Sequence, residues 1–168
     1  MISHHPLTNP RLLLQLRDPG NHVAWSRFVQ VYEPLVCGYC LRRGLQEADA
    51  RDIWQEVLAS VCHAIGRFDY EPMRGRFRGW LLTVTRRKIT DFYRRSRRWP
   101  EPWNRIASGK DFESGDYEEQ LAEWERAYHE LAFRWAVSKL RPEVTERTWS
   151  AFVATAVDAR DSGEVARE

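Results

Sequence analysis

Apolar residues recur at three- and four-residue steps along most of this chain, and nowhere is there a sustained apolar–polar alternation. That pattern predicts helices and no sheet, an all-α protein. Asn9-Pro10 opens a short helix carrying Leu12, Leu13 and Leu16, and Asp18-Pro19-Gly20-Asn21 forms a turn. From His22 to Arg43, residues such as Phe28, Tyr32, Leu35 and Tyr39 mark a long amphipathic helix, bent at Pro34 and closed by Gly44. The next helix spans about Gln46 to Arg67, with Ile53, Val57, Val61, Ala64 and Phe68 on its inner face. Proline and glycine in Phe68–Gly75 make a loop. A further helix carries the chain to Arg98. Trp99-Pro100-Glu101-Pro102 and the polar stretch to Gly115 read as a linker. Helical spacing resumes at Asp116 with Leu121, Trp124, Tyr128 and Leu131, is interrupted at Pro142, and continues from Glu143 to Val157. Asp161-Ser162 caps the beginning of one more helix.

The helix ending at Arg98 changes the picture from fold to chemistry. Between Arg74 and Arg98 stand ten basic residues and a single acid, Asp91. Charged helical faces are ordinarily balanced by acids one turn away, and here the balance is missing. At about 100° per residue, Arg87, Arg94 and Arg98 share one row, flanked by Thr83 and Thr90, and Arg86 and Arg97 form a second row. Leu81, Val84 and Phe92 occupy the arc that must face a core. A guanidinium track on a packed helix is a phosphate-binding surface, so nucleic acid is the expected partner. Phe77 and Trp80 fit a core at this spacing better than a base-stacking platform.

Composition sharpens this reading. The 168 residues are 43% apolar with eight tryptophans, and the net charge is only +2. Charge is therefore segregated, because nine acids between Glu101 and Glu130 face only Arg105, Lys110 and Arg126. No run is long enough to span a membrane and no signal-peptide core opens the chain, so a cytoplasmic protein is expected. Cys37, Cys40 and Cys62 make no disulfide framework. Cys37-Gly38-Tyr39-Cys40 has the spacing of a redox or zinc half-site. It lies within a helix with no strand before it, where two small thiols serve as core packing. No metal or cofactor is expected, and no nucleophile–base constellation or phosphate-cradling glycine loop points to an enzyme.

Asp49, Asp52, Gln55 and Glu56 line one polar face of the second long helix, at a spacing that suits either a hydrated stripe or a docking surface. Here the sequence resembles a known family. Asp49-Ala50-Arg51-Asp52-Ile53-Trp54-Gln55-Glu56-Val57-Leu58 is similar to the DAxDLxQExF signature of bacterial RNA polymerase sigma factors of the extracytoplasmic-function (ECF) group. Phe77-Arg78-Gly79-Trp80-Leu81, followed by Val84-Thr85-Arg86 and Asp91, resembles that group's FRxWLxxIAxNxxxD segment.

The resemblance implies roles. Asp52, Gln55 and Glu56, supported by Asp49, would dock on the clamp helices of the largest subunit of core RNA polymerase. The loop around Phe68 to Arg76 would capture a base flipped from the non-template strand of the −10 promoter element. Arg67, Phe68, Asp69, Tyr70, Arg74, Arg76 and Phe77 would form or border that pocket. Arg86, Arg87, Lys88, Arg94 and Arg95 would hold the melted strand by its phosphates. Arg87 stands where the family often has Asn, so the base preference does not carry over. An anti-sigma factor is a possible further partner. By the same resemblance, residues 9–98 would be a region 2-like domain, 99–115 a linker, and 116–168 a partial region 4-like helix-turn-helix lacking its recognition helix. The expected function is an ECF-type sigma factor, truncated before its −35 reader, that directs promoter recognition and −10 melting. The alternatives are a helical DNA- or polymerase-binding regulator without promoter-opening activity, or a zinc or redox protein built on the cysteines.

Overall fold

The computed structural model describes residues 10–67, 76–96 and 114–157, and every regular element among them is helical. The protein is all-α. Helix α1 spans Pro10–Gln15, α2 His22–Arg42, α3 Glu47–Ala64, α4 Arg76–Ser96, α5 Ser114–Leu140 and α6 Glu146–Phe152. Short 3-10 turns follow α3 at Ile65–Arg67 and α5 at Arg141–Glu143, and a π-helical turn, Val153–Val157, extends α6. The chain divides into a first compact unit ending at Leu131 and a second beginning at Ala132.

The first unit is built on α2. Asn21 caps it, its Oδ1 accepting the Ala24 N–H at 3.1 Å. Ala24, Phe28, Tyr32, Leu35, Val36, Tyr39 and Cys40 repeat every three or four residues and are all buried. Pro34 lies inside the helix on its exposed side, where the carbonyl freed by its missing N–H can be met by water. The end is sharp. Gly44, at φ +84°, adopts the left-handed conformation, the Gly44 N–H donates to the Leu41 carbonyl at 3.0 Å, and the Leu45 N–H donates to that of Cys40 at 3.3 Å. These are the two bonds of a Schellman motif, and glycine is the residue that adopts that φ without strain. Tyr93 from α4 locks the turn by donating its hydroxyl to the Arg43 carbonyl at 2.9 Å.

Helices α3 and α4 close over α2. Ile53, Trp54, Val57 and Val61 meet Phe77, Leu81, Leu82, Ile89 and Tyr93 in one core. An aromatic cluster fills its centre: the rings of Phe28 and Tyr32 lie 4.6 Å apart, and Phe77 packs edge-on to Tyr32 at 5.6 Å. Phe77 has no exposed surface, which removes it from the expected DNA-contacting set. A ring with every face covered cannot stack on a base.

The first half of α5 belongs to this same core. Trp124 and Tyr128 are sealed in it, Trp124 edge-on to Tyr39 at 5.3 Å and Tyr128 stacked on Tyr32 at 6.0 Å. Polar bonds surround them. Tyr39 donates to Gln120 at 2.7 Å, Arg42 and Arg43 share Glu123 at 2.6 and 3.0 Å, and Arg78 pairs with Glu125 at 2.7 Å. The acidic charge that the sequence segregates in this stretch is thus partly spent on the cations of α2 and α4. The division also differs from the expected one, since the first unit reaches Leu131 instead of stopping at residue 98. Position 98 and the whole expected linker, 99–115, have no described side chains.

The second unit is small. Thr145 caps α6, its Oγ1 accepting the Thr148 N–H at 3.3 Å. Phe133 and Phe152 stack at 6.5 Å, Trp149 lies 5.5 Å from Phe152, and the Arg141 guanidinium sits over Trp149 while pairing with Glu146. The expected Asp161-Ser162 cap lies outside the described residues.

Candidate nucleic-acid interface

Helix α4 turns its apolar arc to the core and sorts its cations onto different sides. Arg87 and Arg94 are exposed and lie seven residues apart on one row. Arg87 has no ion-pair partner among the described residues, and Arg94 reaches Asp91 only at 3.6 Å. Thr83 and Thr90 lie beside them, and the group borders a cavity of about 290 Å³ that Arg86, Asp91 and Tyr117 of α5 also line.

Arg86, expected to touch DNA, is buried, with its guanidinium carbon 5.6 Å from the centre of the Tyr117 ring. Lys88 and Arg95 point to α3, where both bind Glu56, at 3.3 and 2.9 Å. The hydrogen bond from Arg95, helped by that from Lys88, holds the Glu56 carboxyl below its ordinary value near 4.5 despite the opposing effect of partial burial. The same contact raises the pKa of Arg95.

On α3 the acidic face is divided. Asp52 and Gln55 are exposed and make no hydrogen bond or ion pair among the described residues, and Asp49 is half-buried. Glu56 is occupied by α4. Arg67 is exposed at the end of the 3-10 turn after α3. Phe68, Asp69, Tyr70 and Arg74 lie outside the described residues, as does the side chain of Arg76 at the start of α4. Tyr117 was not among the expected site residues. Its only signal in the sequence is an aromatic residue amid acids, which says nothing of a neighbour some thirty positions upstream.

Among the described residues the three cysteines are free thiols. Cys40 is buried, and burial pushes its thiol up to about 12; burial also raises Cys37 and Cys62. Thiols held protonated are poor nucleophiles and poor metal ligands. Among the described residues no three His, Cys, Asp or Glu side chains gather where they could hold a metal ion. No described helix is long and apolar enough to cross a membrane.

Comparison with known proteins bears on what this frame is. Residues 28–99 match the family model of sigma-70 region 2. This stretch is a sigma-70 region 2 domain. Over 91 residues the chain is also 30% identical to the ECF RNA polymerase sigma factor RpoE of Cereibacter sphaeroides, an alignment covering 54% of this chain and 49% of the relative. The chain thus spans about half the length of the curated relative it matches. Both findings support the resemblance to ECF sigma factors carried by the DARDIWQEVL and FRGWL motifs. No solved structure matches the chain. The region 2 match takes in α3, α4 and most of α2, and it ends before α5. Trp124 and Tyr128 therefore complete the core of the region 2 domain from outside the matched residues.

Proposed function

We propose that this chain acts as an ECF-type sigma factor, binding core RNA polymerase through α3 and promoter DNA through α4. What supports the reading is the pairing of two unlike exposed faces on adjacent helices of a region 2 domain: Asp52 and Gln55 on α3, Arg87 and Arg94 on α4. The carboxylate face suits the basic clamp helices of the polymerase's largest subunit, and Asp49 borders it. The cationic row suits the phosphates of a melted −10 strand. The segment 68–75 joins the two helices and is assigned to base capture, with Arg67 at its edge. Flipping a base costs a few kcal/mol of stacking, which phosphate contacts along the strand offset. The role is one of binding and strand opening, with no catalytic chemistry of its own.

The full chain mixed with core polymerase is expected to form a complex on a native gel and to direct initiation from one strand of a promoter fragment. Asp52→Arg should abolish the complex while leaving the helical circular-dichroism signal unchanged. A complex without initiation would favour a regulator that occupies the polymerase clamp. A wild-type gel shift for Asp52→Arg would remove α3 as the docking face.

A further inference from the structure

Resting on the reading of α4 as a strand-binding helix, we infer that Tyr117 is a base-stacking wall of the interface, so that the cavity between it and α4 holds one unstacked base of a single DNA strand. Arg87 and Arg94 lie seven residues apart, about 10.5 Å along the helix axis. An extended strand running along the row can meet both through successive parts of its backbone. Between them is a cavity of about 290 Å³, close to the lower end of the ~300–1,000 Å³ range for small-molecule pockets. One base fits that room.

Its lining suits a base better than a bare anion. The Tyr117 ring supplies an aromatic surface, and every base has a π-face to lay against one. Asp91 also borders the cavity. Its carboxylate repels phosphate but accepts hydrogen bonds from the amino group of a base.

The ring is held in place. Tyr117 is half-buried, its hydroxyl reaches the Gly79 carbonyl at 3.5 Å, and the buried Arg86 guanidinium packs near it. A preorganised aromatic ring loses little freedom when a base arrives. Because Tyr117 lies beyond residues 28–99, the interface extends past the segment that matches region 2.

The test uses the full chain and fluorescence anisotropy with two labelled oligonucleotides of equal length, oligodeoxycytidine and the same backbone without bases. The wild-type chain is expected to prefer the base-bearing strand by about five-fold or more, the scale of one stacked base. Tyr117→Ala should lose most of that preference and Tyr117→Phe should keep it. Tyr117→Leu, which leaves apolar bulk beside Arg86, should lose it as Tyr117→Ala does and guards against misfolding. The dependence of affinity on salt should be the same in all four proteins, because the phosphate contacts are untouched. Full preference in Tyr117→Ala or Tyr117→Leu, or its loss in Tyr117→Phe, would overturn the inference alone. Failure of the wild-type chain to bind either strand would overturn the strand-binding reading of α4 and this inference with it.

Discussion

Phe77 and Glu56 show how a residue's chemistry is decided by what folds around it. An aromatic ring beside a basic run suits a stacking role by composition, yet Phe77 closes the space between α2 and α4. Phe77→Ala is expected to cost about 3–5 kcal/mol, the range for emptying a packed aromatic site, measured by urea unfolding. Glu56 carries a pH signature. Its carboxyl titrates lower in the folded chain than in the unfolded one, so the unfolded state takes up a proton first as the solution is acidified. Its contribution is complete above about pH 4.5 and disappears as pH falls through the depressed folded value. Unfolding midpoints measured from pH 7 to pH 3 should fall less steeply in Glu56→Gln than in the wild type. A parallel pair of curves would show that the two cations do not bind that carboxylate in solution. The effect stays small, because Arg95 and Lys88 both remain in contact with water that screens the pair.

The helices themselves were legible in the sequence because each announces its buried stripe. Their ends were legible where a residue of special backbone preference stops them, as at Gly44. What the period of 3.6 cannot disclose is which neighbour a polar side chain meets across the interface. Arg87 and Arg94 keep the open row expected of them. Lys88 and Arg95, only one position further on, turn to α3 and bind the acid that was expected to greet the polymerase. The two pairs should therefore differ against salt. Arg87→Ala with Arg94→Ala is expected to reduce the slope of log affinity for single-stranded DNA against log salt by about 1.4, at ~0.7 per lost phosphate contact. Lys88→Ala with Arg95→Ala should reduce it by less than half as much. Equal reductions would mean that DNA pulls both cations away from Glu56.

At the scale of the whole molecule, the boundary between units was the least legible feature. The proline-rich break after Arg98 and the acidic composition beyond it point to a linker and a new domain. An amphipathic stripe such as Leu121, Trp124 and Tyr128 shows that a helix has a face to bury, without saying against what. Here the answer is Tyr32 and Tyr39, some ninety residues earlier. Trp124→Ala is accordingly expected to destabilise the region 2 domain by about 3–5 kcal/mol in urea unfolding. Trp124→Phe should cost far less, because the indole N–H it removes is buried with no hydrogen-bond partner among the described residues. Comparable losses from both changes would mean that the N–H finds an acceptor in solution.

That sealed indole gives the protein a built-in gauge. Tryptophan shut away from water emits at shorter wavelength than hydrated tryptophan, and Trp124 meets solvent only if α5 leaves its seat on Tyr32 and Tyr39. Trp54 lies wholly within the three-helix core, so its emission stays fixed while that core is intact. Read as the difference between the wild-type chain and Trp124→Phe, a red shift without loss of helical signal would record α5 leaving that seat.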